Sequence, residues 1–267
     1  MSEYTFKRIT VSKQGKALIV TLDTGYKANA FSLDLMNELT ELALMVADDL
    51  DISAVILAGQ PQVFTGGMNL SDVVVTDPLQ LDLRTLRQGA KMGAKMCRAW
   101  EDIEAITIAA IEGPCVGAGV ALSLALDFRV CADNCLLFVP EIERGMNMSW
   151  QSVPRSVNLI GPAKTKQMFI LGEKLSGQKA LAWGWADYLA QPGEALAMAK
   201  DISERLAQVP PIAQRMCKQA INTAANALNH AVSFMDADQF VLAQHSQDYK
   251  EGIASFLEKR SAKYTGN

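Results

Sequence analysis

The sequence predicts an α/β fold that ends in a run of helices. Two patterns predict it. Short apolar runs rich in β-formers alternate with helical spacing through the first half, and the spacing beyond about residue 194 is helical throughout. ALIVTL at 17–22 is a buried strand, because a short continuous apolar run fits a sheet covered on both faces. Ser32 then caps a helix on which Leu35, Met36, Leu39, Leu42, Ala43 and Val46 fall on one face. SAVILAG at 53–59 is the next strand, closed by glycine and the Gln60-Pro61 turn. Gly66 and Gly67 open a polar, poorly patterned stretch to about residue 80, and a long helix then runs to Trp100. TIAAI at 107–111 is a strand, followed by a glycine-punctuated turn into a helix over 118–126. FRVCA (128–132) and CLLFV (135–139) are short strands that lead to Pro140-Glu141. In the tail, EALAMAKDISERLAQV is amphipathic and Pro210-Pro211 breaks it. Helix is expected from Ile212 to about His245 and again near 248–259, with Met216, Phe234, Met235 and Phe240 as packing positions. No linker or fixed-period repeat separates this tail from the rest.

Composition excludes several function classes. The 267 residues are 49 % hydrophobic and 20 % charged, which is globular composition rather than that of a disordered chain. The net charge of −4 argues against a general nucleic-acid or anionic-membrane binder. His230 and His245 are the only histidines, so a multi-histidine metal site is excluded and no metal is expected. Five cysteines with no C-x-x-C read as buried thiols in a reducing cytosol. MSEYTFKRIT is polar and carries Glu3, unlike a signal peptide, and no apolar run approaches the ~18 residues of a membrane span. A cytoplasmic protein is expected.

Two small-residue turns are the chemically informative segments. E112-G-P-C-V-G-A-G119 has a spacing that could cradle a pyrophosphate at a helix N-terminus. A short-chain dehydrogenase would carry that turn near its N-terminus and pair it with Tyr-x-x-x-Lys, and no tyrosine here has that spacing. What remains is a backbone that comes close to something, ahead of a helix whose first N–H groups are unpaired. V63-F-T-G-G-M-N-L70 fits the same description. Each turn alone reads as an ordinary tight turn; two N–H-presenting turns together are the parts of an oxyanion hole.

Read with their order and spacing, these segments resemble the crotonase, or enoyl-CoA hydratase/isomerase, superfamily nearly end to end. K27-A-N-A-F31 is similar to the family's CoA-contacting turn, and V63-F-T-G-G-M-N-L70 to its first oxyanion segment, F-x-A-G-A-D-[IL]. I108-A-A-I-E-G-P-C-V-G-A-G-V-A-L122 is similar to the second, with Asp127 at the family's Cys-Asp or Leu-Asp. P140-E141 stands at its Pro-Glu, and E251-G-I-A-S-F-L-E-K-R260 resembles its closing E-G-x-x-A-F-x-E-K-R. The resemblance implies a spiral of ββα units over residues 1–195, then helices over 196–267 that mediate homotrimers, often paired as hexamers. It implies an acyl-CoA thioester as substrate, with coenzyme A entering as part of it and no separate cofactor. The thioester oxygen would lie between the N–H groups of Met68 and Ala118. Lys27, Ala28 and Ala30 would hold adenine and pantetheine, while Lys259 and Arg260 match basic positions near the CoA phosphates or, equally, a solvated helix end.

The departures from the family bear on the reaction. Its hydratases use two glutamates, the first three residues past the oxyanion-hole residue, one helical turn along the same face. That position is Ala121. The second matches Glu141, which faces an apolar acyl site and is expected to have a raised pKa suited to proton transfer. Glu143, on Glu141's side of an extended segment, is a second candidate. Asn69 replaces the usual aspartate, the family's Pro-Gly-x-Gly-Gly-Thr is missing after Gly145, and Trp150 stands where small residues are usual, narrowing the acyl pocket. One carboxylate suffices to move a double bond, so enoyl-CoA isomerisation leads. Hydratase or hydratase-lyase chemistry, thioester hydrolysis or decarboxylation, and a non-catalytic CoA-thioester binder stay open.

Overall fold

The computed structural model describes residues 4–70 and 80–267; the poorly patterned stretch expected before residue 80 lies largely outside them. Nine strands form two sheets among the described residues. β1 (Ile9–Gln14), β2 (Ala17–Leu22), β3 (Ala54–Ala58), β4 (Ile106–Ile111), β6 (Phe128–Ala132) and β9 (Tyr188–Ala190) make one sheet in that spatial order, antiparallel only at β1–β2. β5 (Pro114–Val116), β7 (Leu136–Phe138) and β8 (Leu175–Ser176) make a smaller sheet.

The continuous apolar runs are strands because both faces of the main sheet are covered. Leu18, Val20, Leu22, Val55, Leu57, Ala109 and Ile111 point into one core, where helices α1 (Leu33–Met45) and α2 (Leu83–Glu101) supply Leu35, Leu39, Met96 and Trp100. The alternate residues Ile19, Ile56, Ile108 and Val130 point into a second core. The strand period of two therefore splits one hydrophobic run between two interiors.

Three further helices come before the tail: α3 (Ala118–Ser123), α4 (Ser152–Phe169) and α5 (Gly177–Trp183). β4–β5–α3 and β6–β7–α4 repeat one unit, a strand in each sheet followed by a helix. The helix expected over 118–126 stops at Ser123, whose hydroxyl turns back to donate to Val120 O (2.8 Å).

The tail comprises α6 (Ala195–Leu206), α7 (Pro211–Ala225), α8 (Asn229–Val232), α9 (Asp236–Gln244) and α10 (Gln247–Glu258). α6 puts Ala195, Ala199 and Ile202 into the second core, so the expected division at 195/196 falls at the first residue of a helix that covers the sheet. The single helix expected from Ile212 to His245 is three. Asn226 donates to Glu101 Oε1 (2.8 Å) and Asn229 donates to Asn226 Oδ1 (2.7 Å), so these amides bond sideways where a helix would have continued. α7 docks through polar groups: Arg215 donates to the carbonyls of Asp49 and Ile52, and Lys218 pairs with Asp127 at 2.6 Å. Met216, Phe234 and Met235, read as packing positions, are exposed in the single chain, because the apolar side of these helices faces away from the sheet.

Candidate active site

The two glycine turns of the sequence are held side by side. Thr65 and Cys115 pair as in a parallel ladder, with Thr65 N–H donating to Pro114 O (2.9 Å) and Val116 N–H to Thr65 O (3.0 Å). Gly67, at φ +92°, comes so close to this partner that a Cβ would sit 3.2 Å from Val116 O. Gly117, at φ +47° and ψ −100°, then turns the chain into α3. Among the described residues, neither the Met68 N–H nor the Ala118 N–H donates a hydrogen bond.

Both N–H-bearing residues line one cavity of about 140 Å³. Ala121 lines it too, one turn beyond Ala118 on the inner face of α3. Trp150 forms part of the wall; it adopts φ +60°, and its indole lies where a Cβ on Gly93 would be, 1.8 Å from Cε2. Only glycine at 93 lets α2 accept that ring.

Glu141 projects into the same cavity from the end of β7. Its carboxylate lies against Gly117, where an added Cβ would meet Oε1 at 2.3 Å. Oε2 has no solvent contact and no hydrogen-bond partner. Burial pushes this carboxyl up from 4.5 to about 7; its own backbone N–H and the nearby Arg144 cation act weakly the other way. Glu141 is the only carboxylate among the described lining residues.

Glu143 is a correction to the sequence reading. Glu141 has α-helical dihedrals and residues Ile142–Arg144 form a 3₁₀ turn, so Glu141 and Glu143 do not share a side. Glu143 is exposed beside Gly172, outside the cavity.

The remaining candidates fall in two places. Lys27–Asn29 form a 3₁₀ turn; Lys27 and Ala28 are exposed and Ala30 is half-buried. Ala28, at φ +53°, accepts the Gly66 N–H at 2.7 Å, which ties this turn to the first glycine turn. Lys259 and Arg260 lie past α10 and line no part of the Glu141 cavity. Arg260 is engaged by Glu251 (2.5 and 2.8 Å) and by Glu258 (2.5 Å), so its charge is met within the C-terminal segment.

Sequence reasoning missed several supports of this site. Asn29 is buried at φ +54° and donates to Leu22 O and Phe64 O at 3.1 and 2.9 Å, pinning the 27–31 turn to the first oxyanion segment. Asparagine tolerance of the left-handed region was the available signal. Gly145 and Gly252 let α10 seat on the Glu141 turn: Cβ atoms there would meet Tyr249 N and the Arg144 backbone, each at 2.6 Å. Phe240, Tyr249 and Phe256 thereby complete the cavity wall, together with Arg144 and Asn147.

No cluster of residues suited to a metal occurs among the described residues, and none of their helices is long and apolar enough to cross a membrane. The family model described as enoyl-CoA hydratase/isomerase matches residues 12–267. The crotonyl-CoA hydratase of Syntrophomonas wolfei is 28% identical over 261 residues, covering 97% of this chain and 98% of its own. The short-chain-enoyl-CoA hydratase of Clostridium acetobutylicum is 26% identical, covering 94% and 95%. A solved enoyl-CoA hydratase from Mycobacterium avium subsp. paratuberculosis superposes with a TM-score of 0.87 at 20% identity, over 98% of this chain and 100% of that one. With its spiral of ββα units, its helical C-terminal region and a match across nearly its whole length, the chain belongs to the enoyl-CoA hydratase/isomerase family, in the crotonase superfamily.

Proposed function

We propose that the chain is an enoyl-CoA isomerase: it holds the thioester oxygen between the N–H groups of Met68 and Ala118 and moves a proton with Glu141 alone. The observation that carries this reading is that Glu141 supplies the one carboxylate among the described lining residues, in a cavity where Ala121 brings none. Removal of an α-proton leaves negative charge on the thioester oxygen. Two fixed N–H donors in a water-poor site stabilise that charge, each worth about 3–4 kcal/mol in comparable oxyanion holes. A carboxyl near pH 7 exchanges protons readily in both directions, as taking a proton at the α-carbon and returning it at the γ-carbon requires. Coenzyme A enters as part of the substrate, and no further cofactor is called for. A cavity of about 140 Å³ fits a short acyl group, since one of ~150 Å³ takes benzene.

Hydration is the second reading, favoured by relatives named as hydratases and by the Asn147 amide, which lines the cavity and could help hold a water. The expected carriers of CoA contacts are the Lys27, Ala28 and Ala30 turn and, from this or another subunit, Lys259 and Arg260. A cytoplasmic homotrimer or hexamer fits the exposed apolar side of α7 to α9.

Incubation with 3-enoyl- and 2-enoyl-CoA esters, read by mass, tests the assignment. Conversion without mass change is expected; gain of one water makes the chain a hydratase, and binding without turnover makes it a non-catalytic CoA-thioester binder. Ala121→Glu is expected to raise hydration relative to isomerisation. A folded variant with an unchanged ratio would remove the single-carboxylate argument.

A further inference from the structure

Arg144 is a cation with no carboxylate in direct contact in a mostly apolar cavity. It is the only cationic side chain among the described lining residues. Among the described residues, no carboxylate lies within 4.0 Å of its guanidinium. Glu141 precedes it by one turn and does not reach it, and Glu143 is turned away to the surface. Of its five N–H donors, one Nη1–H is used, on Pro140 O at 3.1 Å. Nε is sealed from solvent and donates to nothing. Phe256 fixes the guanidinium plane from one face, 4.3 Å from its ring centre to Cζ.

This geometry leaves one arm of the fork open. With Nη1 spent on the loop's own carbonyl and Nε sealed, Nη2 is the guanidinium nitrogen left to reach a ligand, as a charge-assisted donor suited to a carboxylate oxygen. Three residues on, Asn147 lines the same cavity and its buried Oδ1 likewise has no partner. Glu141, Arg144 and Asn147 thus concentrate unmet hydrogen-bonding capacity in one small loop. Glu141 Oε2 and Asn147 Oδ1 are acceptors, so the cationic donors of this loop are those of Arg144, and an anionic acceptor in the bound state would meet its charge.

We infer that Arg144 selects acyl groups that themselves bear a carboxylate, so that the preferred substrate is the CoA monothioester of a short dicarboxylic acid. The inference rests on the proposed acyl-CoA site and narrows its substrate class. The apolar wall of Leu33, Met36, Met148 and Trp150 would pack the methylene part of such a chain.

The test is equilibrium binding with saturated, unreactive thioesters, so it reads recognition whatever the reaction proves to be. Succinyl-, glutaryl- and adipyl-CoA are each compared with the neutral acyl-CoA of equal carbon number (butyryl, pentanoyl, hexanoyl). At least one diacid is expected to bind roughly 10- to 150-fold tighter than its neutral counterpart, the range of a charge-assisted hydrogen-bonded contact. Arg144→Met, which keeps the stem on Phe256, is expected to bring that ratio to near one. No preference in the wild-type protein overturns the inference without any variant. Equal weakening of both members of every pair would make Arg144 a structural residue, and a loss confined to CoA esters and absent from their pantetheine counterparts would make it a phosphate contact; either overturns the inference. Failure of all the acyl-CoA esters to bind would overturn the proposed function instead.

Discussion

Replacing Glu141 by glutamine should change how stability depends on pH, and not only abolish activity. The carboxyl titrates near 4.5 when exposed in the unfolded chain and near 7 in the folded one, because the ionised form is poorly solvated beside Gly117. Its folded pKa is raised, so between these values the native state binds more protons than the unfolded state, and stability falls as pH rises. The interval corresponds to at most about 3 kcal/mol, of which about 2.5 kcal/mol is lost between pH 5 and 8. The residue as a whole is half-buried while Oε2 is sealed, and the surroundings of the carboxylate set this ceiling. Glutamine does not titrate, so whatever its amide costs in the cavity is the same at both pH values. Urea unfolding of wild type and Glu141→Gln at pH 5 and 8 isolates the difference. The variant should gain stability relative to wild type by up to about 2.5 kcal/mol at the higher pH. Turnover should follow the same group, rising as it ionises and levelling off above about pH 7. Parallel stability curves for the two proteins would refute the claim that Glu141 is held in a desolvating site.

Two other perturbations probe the scaffold. Gly117→Ala places a methyl 2.3 Å from Glu141 Oε1 at a positive φ, so kcat should fall by about 100-fold or more while circular dichroism stays native; near-wild-type turnover would mean the carboxylate does not work from that position. Arg155→Met removes a guanidinium held by Glu101 through two 3.1 Å hydrogen bonds between buried groups, leaving that carboxylate the Asn226 amide and a 3.7 Å ion pair with the exposed Arg98. Thermal and urea unfolding should show a loss of about 3–5 kcal/mol, and a loss under 1 kcal/mol would show that Glu101 finds other solvation.

The strands most legible in the sequence were those buried on both faces. ALIVTL and FRVCA form strands at the residues where their apolar runs begin and end. The small sheet was harder to read, because β5 and β7 have three residues each and β8 has two, too few for any period to show. Gly161-Pro162 carries a helix-breaking signal that the structure obeys: Gly161 is non-helical at φ +78° and ψ 164°, and it kinks α4 into two segments. At the site, Glu141 could be named because a motif carried it. The orientation of Glu143 could not, since one residue in α-helical rather than extended conformation reverses the side it occupies. Arg144 and Asn147 looked like ordinary loop residues, and only the closing of α10 over them makes their unmet donors and acceptors visible.

The seating of α10 on the Glu141 turn has a consequence for biosynthesis. The cavity wall draws on residues far apart in the sequence, from Leu33 on α1 to Phe256 on α10. A nascent chain emerging from the ribosome can form its main sheet, complete at Ala190, well before it can close the Glu141 cavity. Until α10 arrives, Met146 and Phe240 lack the cover that Tyr249 and Ile253 give them. Closure of this cavity therefore waits on α10, and a chain stalled short of Gly252 would lack the wall that Phe256 supplies.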